Sequence, residues 1–185
     1  MKSNLLALGL LAALASPAAL AGDLSYTYAE AGYANLDGDA DGAYVKGSYD
    51  IAKGFYAHGR YAHFELDDNL GLGSNDDVAM SELGLGWRYD LGAKTDLLVE
   101  AAAAHIDTDF GNANGYRASL GARFDLAPAW EASVKANHYD GDDFLSATTG
   151  SVGVQWKFNQ RWGVVADAEF GDNMDNFQVG VRASF

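Results

Sequence analysis

From residue 24 to the carboxyl terminus, apolar and polar positions alternate along runs of about ten residues, and clusters of Gly, Asp and Asn separate the runs. The pattern predicts strands over 24 to 34, 43 to 52, 55 to 65, 78 to 90, 96 to 105, 115 to 125, 129 to 139, 147 to 158, 161 to 171 and 176 to 185. No segment keeps a helical period of useful length. Each run matches a tilted membrane strand of about 9–11 residues and exceeds the usual strand of a soluble protein. Links after even-numbered runs are tight, at Lys53-Gly54, Leu91 to Thr95, Leu126 to Pro128 and Asn159-Gln160. Those after odd-numbered runs are mostly longer and rich in Asp, Asn and Gly. Short turns at one end and longer loops at the other characterise transmembrane barrels, in which the turns are periplasmic. The expected fold is all-β: an antiparallel up-and-down transmembrane β-barrel of about ten strands, with eight as the runner-up count.

Sorting each run by parity separates two faces. One carries residues such as Tyr33, Val45, Tyr61, Leu85, Val99, Leu120, Val134, Val154, Val164 and Val179, and no Asp, Glu, Lys or Arg. Lipid demands such a face, because a midplane Arg or Lys on a barrel exterior costs ~2–4 kcal/mol. The other face carries both signs of charge: Glu30, Lys46, Arg60, Glu82, Arg88, Glu100, Arg117, Arg123, Glu131, Lys135, Lys157, Asp167, Glu169 and Arg182, with His58 among them. Enclosed charges persist only when paired or hydrated, so a cross-strand network with trapped water is expected in the lumen. Parity alone also admits a soluble lipocalin-like barrel with the apolar face inside. The tryptophans favour the membrane: Trp87, Trp130, Trp156 and Trp162 share apolar-face parity near the short turns, as an aromatic girdle would.

The beginning of the chain assigns a compartment. Lys2 supplies a positive start, Leu5 to Ala15 is apolar, Pro17 interrupts it, and Ala19-Leu20-Ala21 has the small-x-small pattern of a cleavage site. The apolar run is shorter than the ~20 residues of a spanning helix. A signal peptide over 1–21 and a barrel over 22–185 are expected. There is no cysteine, which excludes disulfides and thiolate metal sites. The net charge of −14 argues against nucleic acid as a partner. Of the twelve Lys and Arg, eight lie on the charged face, three (Lys53, Lys94, Arg161) in short turns, and one is Lys2, so the longer loops hold none.

Those loops carry the sharpest local pattern. Asp37-Gly38-Asp39-Ala40-Asp41-Gly42 places carboxylates at alternate positions before a glycine, as the first half of a calcium loop does. Ser48 stands where the bidentate Glu would be, so Asp37, Asp39 and Asp41 make at most a weak divalent-cation site, and an Asp/Gly-rich hairpin in water is the plainer reading. With Asp67, Asp68, Asp140, Asp142 and Asp143 they form an anionic rim able to share divalent cations with lipopolysaccharide phosphates. His63, His105 and His138 fall near the same ends, but no spacing fixes a nucleophile or acid beside them, and an enzyme is not expected. No cofactor is expected.

The precursor start MKSNLLALGLLAAL, the segment LSYTYAEAGYAN, the loop DGDADG and the run KFNQRWGVVADAEFGD resemble the small outer-membrane proteins labelled the sulfation-dependent quorum-factor family, over essentially the whole chain. The resemblance implies an outer-membrane barrel found also in vesicles, with a label tying it to quorum sensing, biofilm and virulence; a sulfated tyrosine would fall on Tyr26 or Tyr28. The last strand, ending at Phe185, looks like the terminal signature of bacterial outer-membrane barrels, read by the assembly machinery. Three function classes follow: a structural or surface-interaction barrel of the cell envelope as the leading one, a narrow pore for small solutes, and a lipid-modifying enzyme at the rim. A quorum-linked secreted or vesicle-borne factor is a further alternative.

Overall fold

The computed structural model describes residues 24–36, 40–66, 77–109, 111–141, 144–171 and 175–185. The expected signal peptide, Asp37 and Asp39, and the loop residues Asp67, Asp68, Asp142 and Asp143 lie outside these ranges. Ten strands follow in chain order: β1 Tyr28–Leu36, β2 Ala40–Ala52, β3 Phe55–Leu66, β4 Asp77–Gly92, β5 Thr95–Thr108, β6 Gly111–Ala127, β7 Trp130–Gly141, β8 Phe144–Lys157, β9 Trp162–Gly171 and β10 Asn176–Ser184. Each pairs with its sequence neighbours, and β1 pairs antiparallel with β10 from Tyr28↔Ser184 to Leu36↔Asn176, closing the barrel. Closure satisfies every edge, which a bilayer requires because no water is present to solvate an open one. The count is ten, not eight.

Several boundaries differ from the pattern-based ones. β1 starts at Tyr28 rather than at 24, because Leu24 to Thr27 leaves the sheet and turns into the lumen. β5 and β6 run on to Thr108 and back from Gly111, where a nine-residue loop over 106 to 114 was expected. The Asn and Gly of that stretch read as turn formers, but a long partner strand supplies ladder bonds that outweigh their weak local preference. At the short-turn end, the Lys53-Gly54 turn has φ of 53° and 83°, the left-handed pair of a tight hairpin. At the same end register shifts fall at Asp50/Ala52, Asp90/Gly92 and Asp125/Ala127, three bulges that each sit in an aromatic-Asp-aliphatic-small tetrapeptide, and a fourth shift lies at the loop end, at Tyr139/Gly141.

The apolar face is the outer one. Leu83 is 73% exposed and Tyr49 65%, and Leu85, Leu120, Val134, Val152 and Val181 are all exposed. A soluble barrel would bury this set, so the lipocalin-like alternative is overturned. Trp87, Trp130, Trp156 and Trp162 are likewise exposed. Trp130 pairs across strands with Trp156, with ring centroids 6.4 Å apart, and Trp156 continues to Phe158 at 6.0 Å. Ala183 and Phe185 depart from their parity: both are buried. Phe185 lies past the last strand residue, held by its N–H donated to the Thr27 carbonyl at 2.9 Å and covered by the Arg161 guanidinium 5.5 Å from its ring centroid.

The lumen is less uniformly polar than parity suggests. Toward the loop end, on β1 to β3, Ala34, Ala40, Tyr44, Ala62 and Phe64 form a buried apolar cluster, with Val78 and Met80 of β4 packed against it. Toward the turn end, Tyr26, Tyr56 and Leu98 make a second, with Leu24 beside it. Gly86 makes room for this one: a Cβ there would come within 2.2 Å of the Tyr56 ring.

Candidate functional site

Between the two apolar clusters lies a polar chamber of about 180 Å³, lined by residues of all ten strands. Register brings its charges together. Arg182, Glu30, Lys46, Arg60 and Glu82 occupy directly paired positions on β10, β1, β2, β3 and β4, a row across five strands. Glu30, fully enclosed, accepts from Arg182 Nε at 2.7 Å and from the Tyr44 hydroxyl at 2.9 Å, with Lys46 Nζ at 3.6 Å. Lys46 donates to Asp167 on β9 at 3.0 Å. Arg182 reaches Gln155 at 3.1 Å and stacks 4.1 Å from the Tyr28 ring centroid.

A second group crosses the opposite wall. Arg117 on β6 donates to Glu82 at 2.9 Å and to Glu100 at 3.2 Å, and Glu100 also accepts from Lys135 and from the Tyr56 hydroxyl, each at 2.7 Å. Glu169 takes neutral donors instead: the Tyr139 hydroxyl and Asn137 Nδ2, both at 3.0 Å, and the Thr149 hydroxyl. A third group closes on the turn end, where Glu131 bridges Arg123 and Lys157, the latter at 3.0 Å.

The segment before β1 seals that end. Arg123 Nη1 donates to the Ser25 carbonyl at 2.7 Å, and the Tyr26 hydroxyl donates to Asp96 at 2.8 Å. The Tyr26 ring lies between the Arg88 and Arg123 guanidinium groups, 4.3 and 5.0 Å from its centroid, while Arg88 itself pairs with Asp50 at 2.8 Å. Asp50 and Asp96 were not among the expected lumen charges. Their parity on β2 and β5 was readable, but both sit beside turns, where an Asp reads as a turn former.

Charges in the row are not all matched. Lys46 and Arg60 are like charges placed directly opposite one another, an unfavourable pairing. Lys46 is drawn to Asp167 and Glu30, and Glu82 beside Arg60 is taken by Arg117. Arg60 Nε and Nη2 and His58 Nε2 are buried and have no hydrogen-bond partner among the described residues. Among the charged residues lining the chamber, six are cations and four are carboxylates.

At the loop end the described rim is acidic and hydroxyl-rich. Asp41 accepts from the Tyr33 hydroxyl and from Asn35 Nδ2, the latter at 2.8 Å, and Asp140 accepts from Tyr116 at 3.2 Å. Asp41 is the one member of the expected cation loop that is described, and no group of three or more possible metal ligands occurs among the described residues. His63, His105 and His138 stand on β3, β5 and β7, against Asp77 at 3.8 Å, Asn114 at 2.8 Å and Thr148 at 3.1 Å.

No protein-family model and no curated protein matches the chain. Its fold is similar to that of the COG4313 outer membrane channel from Pseudomonas putida F1, with a TM-score of 0.56 at 12% identity over 92% of this chain and 98% of that one. The NanC porin gives 0.53 at 10% identity, over 86% and 100%. The KdgM porin in complex with disordered oligogalacturonate gives 0.51 at 11%, over 85% and 99%. At these identities the likeness is one of fold. A closed ten-stranded barrel of this fold with an exposed apolar exterior is a protein of the bacterial outer membrane.

Proposed function

We propose that the barrel is a narrow outer-membrane channel for small polar solutes, its passage set by the chamber and by the two apolar clusters that flank it. The observation that carries this is the polar chamber of about 180 Å³ touched by all ten strands. A barrel built only as a scaffold gains most from a lumen packed to native density. The three barrels of similar fold are described as porins or channels, one of them in complex with an oligogalacturonate. A chamber this size admits small solutes, and longer ones require side chains to move. The test is conductance of the purified protein in a planar bilayer: discrete steps, small beside those of wide porins, support the channel.

The second reading is a structural or surface-interaction barrel of the envelope, favoured by the ion pairs that tie β2 to β9 and β5 to β7. Absence of steps in a barrel that stays folded selects it. In either case the mature unit is 22–185 after removal of 1–21, lipid and lipopolysaccharide surround the apolar belt, and the strand ending in Phe185 addresses the assembly machinery. The signalling role implied by the family resemblance is not part of this proposal, because the Tyr26 hydroxyl is bound to Asp96 inside the barrel and Tyr28 lies under Arg182.

A further inference from the structure

We infer that the chamber contains a binding site for a small oxyanion, a carboxylate or phosphoryl group, received by Arg60. Nε–H and the facing N–H of Nη2 form one edge of a guanidinium, a fork that matches two oxygens of a carboxylate or phosphate. In Arg60 both atoms of that edge are buried without a partner among the described residues. Arg60 lines the chamber, two residues along β3 from His58, whose Nε2 is also buried and unpartnered. Elsewhere the lumen is economical with its donors: Arg117, Arg123 and Arg182 each engage a carboxylate with their Nε.

An unmet buried donor costs about 1–3 kcal/mol, more when charged, so a fork left open is a cost that a ligand relieves. The surroundings favour an anion rather than a neutral ligand. Lys46 is directly opposite Arg60, and the carboxylates that balance the other cations of the lining, Glu30, Glu100, Glu131 and Asp167, are each bound to a base other than Arg60. Glu82, the carboxylate best placed to neutralise Arg60 by register, is held by Arg117 at 2.9 Å. A single oxyanion at the fork supplies Arg60 with the partner that Glu82 gives to Arg117 instead, and separates Arg60 from Lys46 electrostatically. The chamber volume limits the ligand to a small group or to the charged end of a longer molecule, and because Nε and Nη2 are enclosed, the side chains around Arg60 must shift to admit it. The site does not depend on conduction, since a closed barrel can bind an ion that reaches the chamber through thermal opening.

The experiment is a titration of the ¹⁵N-labelled protein in detergent micelles with sodium acetate and, separately, sodium phosphate, at ionic strength held constant with sodium chloride. The arginine Nε–H resonances are followed. Arg60→Lys, which keeps the charge and lacks the fork, identifies the Arg60 signal by its disappearance; if that variant does not fold, through-bond assignment replaces it. A saturable shift of the Arg60 signal is expected. Phosphate alone acting assigns a phosphoryl ligand, acetate alone a carboxylate, and both the shared fork chemistry. Binding measured by calorimetry should weaken about tenfold or more in Arg60→Lys, the loss of one charge-assisted bond, and stay unchanged in the turn variant Lys94→Gln. An Arg60 signal that neither salt moves saturably, or equal affinity in Arg60→Lys, overturns the site. Conductance is scored separately, so failure of the channel and failure of the site are read independently.

Discussion

Replacing Glu100 by Gln tests whether the lumen network holds the barrel together. Glu100 is buried and receives Lys135 and Tyr56 at 2.7 Å and Arg117 at 3.2 Å. The amide keeps the shape and can still accept from Tyr56. Arg117 retains Glu82 at 2.9 Å, so its charge stays matched. Lys135 loses the carboxylate beside it. Breaking a buried pair from one side costs about 3–5 kcal/mol. The Lys135 side chain is 26% exposed to the chamber, and water there relieves part of that cost, so the lower end, about 3 kcal/mol, is expected. The assay is the guanidinium midpoint of protein refolded into lipid vesicles, followed by the exterior tryptophans, with the midpoint shift converted through the slope. Adding Lys135→Met to Glu100→Gln should recover most of the loss, since the orphaned charge is then gone. A loss below about 1 kcal/mol, or a double variant weaker than Glu100→Gln alone, refutes the network as a source of stability.

Leu120→Arg on β6, whose neighbours across both strands are Val99 and Ala136, should destabilise the vesicle-inserted barrel by ~2–4 kcal/mol, measured by the same midpoint. Gly86→Ala drives a methyl into the Tyr56 ring and should cost about 1–3 kcal/mol, with the Tyr56–Glu100 bond lost in a structure of the variant. Tyr26→Ala removes the ring between Arg88 and Arg123 and should raise single-channel conductance in planar bilayers, whereas a purely structural barrel would remain silent. With barrels inserted in one orientation, anion entry from the loop side should quicken as salt rises, because that rim is acidic; an equal response from the turn side would contradict the rim's role.

The strand count and the sidedness were legible because a period of two, kept for ten residues, leaves a single apolar face, and because four tryptophans of one parity mark one interface. The pairing row from Arg182 to Glu82 was less legible, since it depends on the register of five hairpins and closure, and a one-residue slip would break it. Parity told that Lys46 and Arg60 face inward but not that they face each other. A short local repeat also went with the register: Tyr49-Asp50-Ile51-Ala52, Tyr89-Asp90-Leu91-Gly92 and Phe124-Asp125-Leu126-Ala127 share a pattern where β2, β4 and β6 bulge. The inward turn of Leu24 to Thr27 was hidden because its alternation continues that of β1; what redirects it is a long-range set of partners, Asp96, Arg123 and Phe185.

Charge segregation gives these local features a common cause. The chain holds 26 acidic residues and 12 basic ones, yet eight of the bases are spent in the lumen and three more at the short turns. The eight bases meet eight carboxylates there, with sharing on both sides: Glu30, Glu100 and Glu131 each serve two cations, and Lys46 and Arg117 each serve two carboxylates. Shared carboxylates brace the strands that carry their partners, since each ties two of them at once, while Glu169 is held by neutral donors and pairs with no cation directly. Register still forces like charges together at Lys46 and Arg60. What the network leaves unmet is thus a matter of position rather than of net charge, and it is Arg60, whose Nε and Nη2 have no partner among the described residues, that has a binding edge to offer.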